Sequence, residues 1–206
     1  MMKHLFLTTF VLFSSLLCMA QNNDQKKVEH SIMLGGGLFL ESGYSAQEQN
    51  PGAMVGLSYG LDIRLHQNWS VMPGVGLRGQ MGKVFNLGAK GGMHDGMGMA
   101  DVFCVVRYHF NNDKIILALG PAISYIAVPS IYAFDASPNN PLNGKEKNSR
   151  FDASLRPSIV FRPGKHFQWG LEAGIGLMNT LRQYPECNVS GSLHLHYLAL
   201  TCGWRF

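Results

Sequence analysis

The feature that most limits this chain's fold is a period-two alternation of side chains. It recurs in eight segments, at about 29–40, 53–65, 69–80, 98–110, 114–127, 151–162, 166–179 and 192–206. In the second segment Ala53, Val55, Leu57, Tyr59, Leu61, Ile63 and Leu65 share one parity. Met54, Gly56, Ser58, Gly60, Asp62 and Arg64 share the other. The sixth and seventh segments divide the same way, Phe151, Ile159 and Phe161 or Phe167, Trp169 and Leu171 against Asp152, Arg156 and Arg162 or Gln168, Gly170 and Glu172. Successive side chains of a strand point to opposite faces, so each segment reads as a strand with a bulky apolar face and a small or charged one.

The connections alternate as well. "HQN" (66–68), "NND" (111–113) and "PGK" (163–165) are short, whereas 41–52, 81–97, 128–150 and 180–191 are long. Short turns on one side, long loops on the other and an even strand number are the plan of an outer-membrane barrel. Strands of this length also cross a bilayer at a tilt. The expected fold is therefore all-β, an eight-stranded antiparallel up-and-down transmembrane β-barrel over 29–206. Its long loops are expected to face the exterior.

A soluble barrel of the lipocalin kind would also alternate, with its apolar face turned inward around a ligand. The placement of charge argues against it. Every lysine after Lys3 falls in the lead-in, a turn or a loop, whereas a solvated sheet face would carry some. The polar faces instead hold Arg64, Arg78, Arg107, Arg156, Arg162 and Arg205 with Glu29, Asp62, Asp101, Asp152 and Glu172. Guanidinium forks bind carboxylates with defined geometry, which suits fixed ion pairs in a confined lumen. Two pairings follow from position. A turn centred on Gly164 would set Arg156 opposite Glu172, and Glu29 and Arg205 sit near the same end of the two strands that must meet to close the barrel. Eight strands leave an interior just wide enough for side chains, so a packed, closed lumen is expected, with a narrow arginine-lined ion path as the alternative.

Aromatic residues give an independent sign of the membrane. Trp69, Tyr108, Phe110, Phe161, Phe167, Trp169, Trp204 and Phe206 all fall beside a short turn or at the chain end. On an eight-strand layout they share one level, the periplasmic interface, where amphipathic rings settle. Pro73, Pro121 and Pro157 lie inside strands, where bulges or breaks are expected because proline donates nothing to a ladder.

The first twenty residues carry Lys3 and His4, an apolar run from Leu5 to Leu17, and small residues Cys18 and Ala20. This is the pattern of a signal peptide (1–20) cleaved before Gln21, with 21–28 as a short periplasmic lead-in. A lipoprotein signal acylated at Cys18 is the rival, but Leu17 stands where a small residue is wanted. Removing Lys3 takes the net charge from +4 to about +3, too mild to imply nucleic acid. Cys104, Cys187 and Cys202 remain, an odd number that argues against a disulfide framework.

With "AQ" closing the signal, then "WSVMPGVGLRGQ", "VFCVVRYHFNNDKIILALGPAISYI" with its Gly120-Pro121, and the aromatic end, the chain resembles the PorT-like outer-membrane β-barrel proteins of Gram-negative bacteria. The resemblance covers nearly all of the expected mature chain and implies the barrel and an outer-membrane location, without a catalytic motif. Phe206 matches the aromatic end by which outer-membrane barrels are recognised by the insertion machinery. That machinery and outer-membrane lipid are the expected partners.

One stretch, "SGSLHLHY", hints at enzymology. His194 and His196 share a face near Ser190 and Ser192, and a serine nucleophile, a histidine base and an orienting carboxylate such as Glu186 would make a lipid A-modifying hydrolase. The spacing meets no motif, and ordinary polar residues at a strand end are the expectation. Two histidines without a well-spaced third ligand make no metal site, and no cofactor is expected. Loop 128–150 carries turn formers and mixed charge, as a mobile exposed loop does, and loop 81–97 is rich in Gly and Met, read as flexible filler. Both are candidate surfaces for a ligand or protein partner.

Overall fold

The computed structural model describes residues 28–43, 52–81, 96–131, 141, 144–187 and 191–206, apart from the side chain of Glu186. The expected signal, most of the lead-in and the middles of the long connections lie outside these residues. Ten strand segments follow in order: β1 (Val28–Gly43), β2 (Gly52–His66), β3 (Trp69–Met81), β4 (Gly96–Phe110), β5 (Ile115–Leu119), β6 (Pro121–Val128), β7 (Phe151–Leu155), β8 (Ser158–Phe161), β9 (Phe167–Gly176) and β10 (Leu193–Arg205). Neighbours pair antiparallel, and β10 pairs with both β9 and β1, which closes the sheet. β5 with β6, and β7 with β8, are each one strand with a break, so the wall is an eight-stranded closed antiparallel barrel.

The breaks have a chemical cause. They fall at Gly120-Pro121 and at Arg156-Pro157, where proline removes a ladder donor. The Arg156 N–H still reaches the Gly120 carbonyl at 2.8 Å, so the two interrupted strands stay joined. At Pro73, where an interruption was also expected, β3 runs on and stays in register with Cys104 of β4.

The two faces of the wall are opposite in character. Val55, Leu77 and Leu200 are at least 60% exposed on the outside, while Arg107 inside is 2% exposed. The soluble alternative, with apolar residues lining the interior of every strand, is thus not what forms. The inward residues of β4 read out the lumen from the loop end to the turn end: Met97 and Met99, then Asp101, then Phe103 and Val105, then Arg107 and His109. Two charged layers alternate with two apolar ones. The apolar layer at the loop end joins Met97 and Met99 to Phe39, Met54, Ile126, Leu193 and Leu195. It departs from the expectation of a lumen polar throughout. It also makes strand of the Met-rich end of loop 81–97, because Met alternating with Gly and Ala buries one face as well as Leu would.

Part of the other long loop is ordered too. Ser130, Asn148 and Thr180 are fully or almost fully buried, and Ser130 Oγ donates to Asn148 at 2.6 Å. The Ser149 N–H bonds the Thr180 carbonyl at 2.7 Å, and the Thr180 N–H bonds that of Leu193 at 2.8 Å. Residues 144–150 therefore extend the wall above the strands instead of moving freely.

Inside, two aromatic rings lie flat over glycines on the facing strand. Gly174 pairs with Tyr197, and a Cβ there would stand 1.9 Å from the ring. Gly74 pairs with Phe103, and a Cβ would meet that ring at 2.3 Å. Neither ring can swing aside in a filled lumen, so Gly174→Val is expected to destabilise the barrel by about 1–3 kcal/mol. Gly164→Ala, with nothing within 4 Å, should stay within about 0.5 kcal/mol. Urea unfolding of both variants in lipid vesicles reads the difference.

Candidate functional site

The charged layers of the lumen hold the most concentrated chemistry of the described residues. At the turn end, Asp62 of β2 accepts from Arg107 at 2.8 Å and from Arg162 at 3.0 Å through one oxygen. Arg162 also reaches Glu29 of β1 at 3.5 Å, and Glu29 takes Arg205 of β10 at 2.6 Å. Two carboxylates and three guanidiniums thus form one connected group across the barrel. Nearer the mouth, Arg64 binds Asp113 at 2.6 Å. Asp113 sits in a turn where Asn111, Asn112 and Asp113 all take left-handed backbone angles, φ 48°, 53° and 69°, a conformation that Asn and Asp tolerate best among residues with a Cβ. Burial raises the Asp113 carboxyl, but the hydrogen bond and charge of Arg64, with His109, outweigh it and hold it below its ordinary range.

In the central layer Asp101 is shared by Arg156 at 2.7 Å and Arg78 at 3.4 Å. Tyr197 lies against both cations, its ring centroid 4.5 Å from the Arg78 guanidinium and 5.8 Å from that of Arg156. Its hydroxyl donates to Glu172 at 2.6 Å. The expected opposition of Arg156 and Glu172 does not form. The turn centres on Lys165 instead of Gly164, so Glu172 faces Ser158 across the strands, and Arg156 turns to Asp101. Asp152 is 1% exposed and makes no ion pair among the described residues, with Oδ1 lacking a hydrogen-bond partner. All eleven charged residues expected inside lie on the inward face; the buried His109 and the turn residue Asp113, which binds Arg64, were not among the expected residues.

Sulfur serves as an acceptor in this interior. Arg107 reaches Met72 Sδ at 3.2 Å, Arg78 reaches Met99 Sδ at 3.3 Å and Gln168 reaches Met33 Sδ at 2.8 Å. The central layer holds a cavity of about 40 Å3 between Arg78, Asp101, Arg156, Glu172 and Tyr197, room for about one water.

Two serine–histidine contacts test the catalytic alternative. On the outer surface at the loop end, Ser42 Oγ lies 2.7 Å from His196 Nε2, and the His194 ring centroid is 6.5 Å from that of His196. Ser42 was missed because it lies in β1, brought beside β10 only by closure; Ser190 falls outside the described residues, as does the side chain of Glu186. The Gly176 N–H donates to His196 Nδ1 at 3.3 Å. With Nδ1 so occupied, the tautomer that fits is the one protonated on Nε2, which would donate to Ser42, the reverse of what a general base requires. In the lumen, Ser70 Oγ lies 2.7 Å from His109 Nε2, and His109 Nδ1 lies 3.0 Å from Asp113. The order resembles a triad, yet Ser70 is 0% exposed and no substrate reaches it. No three of the described His, Cys, Asp and Glu side chains gather as a metal site.

The aromatic residues stand on the outer surface at the turn end. Trp69 packs edge-on against Tyr108 at 4.7 Å, and Tyr108 against Phe110 at 4.4 Å. Phe161 stacks on Trp169 at 4.6 Å and Trp204 on His166 at 5.3 Å, while Phe167 is exposed beside them. Phe206 stacks on His30 at 5.6 Å and exchanges two backbone hydrogen bonds with it, at 2.9 and 3.0 Å.

No protein-family model matches the chain, and no curated protein matches it. Among solved structures it is similar to Ail, the attachment invasion locus protein of Yersinia pestis, at 16% identity and a TM-score of 0.49 over 87% of this chain and 99% of Ail. Ail in complex with the heparin analogue sucrose octasulfate gives 14% and 0.51 over the same shares. The outer membrane protein OprG of Pseudomonas aeruginosa gives 10% and 0.45 over 85% of this chain and 95% of OprG. At such identities the likeness concerns the fold, a small barrel of the outer-membrane kind.

Asp62→Ala leaves two buried guanidiniums without their shared carboxylate, and the loss expected is about 3–5 kcal/mol in urea unfolding. Asp113 makes the stability depend on pH. Its depressed carboxyl stabilises the folded chain above the unfolded carboxylate range, and the contribution disappears as pH falls through the folded value. Wild type should therefore unfold at higher urea than Asp113→Asn at pH 7, and the two midpoints should converge near the acid end.

Proposed function

We propose that this protein is an integral outer-membrane barrel with a closed lumen, its long loops facing the exterior, serving envelope structure or recognition at its outer rim. The observation that carries this reading is the filling of the lumen. Two ion-paired layers and an apolar layer at the loop end leave a central cavity of only about 40 Å3, far below what hydrated ions need to pass. The aromatic girdle at the turn end and the bare aliphatic wall support residence in a bilayer. The segments quoted above keep PorT-like proteins as the family this reading favours, with outer-membrane lipid and the insertion machinery as partners.

Recognition belongs to the loops 81–97 and 128–150 in this reading, since residues 144–150 of the second form a raised wall with Lys145, Lys147 and Arg150 along it, bonded to Arg182 of the next loop. A hydrolase built on His196 is disfavoured by the direction of its hydrogen bond to Ser42. Planar-bilayer recordings of the pure protein should show no stable conductance. Reproducible channels abolished by replacing Arg156 would overturn the closed lumen. Lipid A profiles by mass spectrometry should be identical in cells with and without the protein, and loss of an acyl chain that depends on His196 would restore the enzyme.

A further inference from the structure

Bulky side chains cover most of the outer wall, but one patch near the loop end of β3, β4 and β6 is hollow. Gly79 pairs with Gly98 across β3 and β4. Beside them the pairing of β4 with β6 steps from Gly98↔Val128 to Met99↔Ile126 and passes over Ala127, a bulge in the wall. The result is a groove of about 460 Å3, walled by Val55, Leu57 and Leu77 and floored by Gly79, Gly98 and Ala127. Its volume falls within the roughly 300–1,000 Å3 of ordinary ligand pockets, and its lining is apolar.

The backbone does not require these glycines. A Cβ at Gly79 would meet only Val55 Cγ1, at 3.7 Å, and one at Gly98 would meet Val128 at 3.4 Å. Neither takes a left-handed angle. Glycine weakens a strand and leaves nothing to pack against lipid, so what distinguishes these positions is the space they open. Gly74 and Gly174 in the lumen differ, since there a ring occupies the room.

The loop-side edge of the groove is charged. Arg150 rests on the wall, its guanidinium donating to the carbonyls of Ala127 at 3.0 Å and Ile126 at 3.3 Å. Arg150 and Arg182 share the single carboxylate of Glu146, so among the described residues this corner carries two cations for one anion. Both arginine side chains are 40% or more exposed. An apolar slot that ends at surplus positive charge matches a molecule with an acyl chain and an anionic headgroup, and guanidinium is the side chain best shaped for phosphate.

We infer that this groove holds an acyl chain of a phosphorylated outer-leaflet glycolipid, whose phosphate is met by Arg150. The inference rests on the outer-membrane reading proposed above. It assigns the hollow to a lipid in preference to a second copy of the chain.

The test uses refolded full-length barrel in detergent micelles, mixed with purified lipid A or with phosphatidylethanolamine and weighed intact by native mass spectrometry. A one-to-one adduct with lipid A that exceeds the phosphatidylethanolamine adduct is expected. Filling the slot by Gly79→Val with Gly98→Leu, or removing the cation by Arg150→Gln, should each lower the bound fraction about tenfold. The heat-dependent gel shift of unboiled samples verifies that each variant is folded. If the glycine variant does not fold, Arg150→Gln carries the test alone. Equal binding of both lipids, undiminished binding by Arg150→Gln, or a lipid-free dimer split by the glycine substitutions would overturn the inference. Absence of the protein from isolated outer membranes would instead sink the location, and leaves the adduct measurement standing.

Discussion

Everything inside this barrel depends on guanidinium groups taken almost entirely out of bulk solvent. Arg107, Arg156 and Arg162 are each at least 95% buried. Taking such a charge out of water costs several kcal/mol even after relaxation, and only a close carboxylate with well-placed hydrogen bonds offsets it. The lumen meets this demand economically. Asp62 and Asp101 each serve two arginines, and methionine sulfurs and the Tyr197 ring take part of the remaining donor capacity. Since the acids and bases sit on different strands, each pair also fixes how far one strand may slide along another. A one-residue slip would turn every charge to the lipid. Stability and register therefore share one set of contacts, and the strands need no lysine.

That constraint decides how the rest of the wall is built. Filling the axis with arginines and rings requires glycine on the facing strand, as at Gly174 under Tyr197. The filled axis in turn lets the outer face be nearly pure aliphatic, because no polar side chain is left to reach outward except at the rims. The two rims then divide the remaining chemistry. Aromatic rings collect at the turn end, while cations and the hydrogen-bonded extension of Ser130, Asn148 and Thr180 collect at the loop end.

How much of this was legible in the sequence follows from what each feature depends on. Faces could be read because parity is local: Asp62 and Arg64 share a face whatever the register. Partners could not, because they depend on turn centres. Moving the centre of one turn by a single residue changes the cross-strand neighbour of Arg156 and sends it to Asp101, more than fifty positions away in the chain. The Glu29–Arg205 contact was readable because the closing strands must meet. Asp113 was hidden in a stretch whose Asn-Asn-Asp composition is fully explained by the turn, and Ser42 by the long separation from His196. The apolar layer escaped notice because Met97 fell in a Gly-rich segment that looks like a loop, and Met99 alone on the polar parity of the next strand gave no sign of a layer. The groove on the outer wall leaves no pattern in a linear reading, for its floor comes from three strands.

The pairing of Glu29 bears on how such a barrel can assemble. Its partners Arg162 and Arg205 lie 133 and 176 positions further along the chain. They reach it only when the last strand meets the first. Until then an inserted, unclosed sheet holds a carboxylate of its first strand apart from both arginines, and the arginines apart from it. Closing the seam and joining Glu29 to these two arginines are consequently one event, so a sheet that met its edge out of step would leave both contacts unmade.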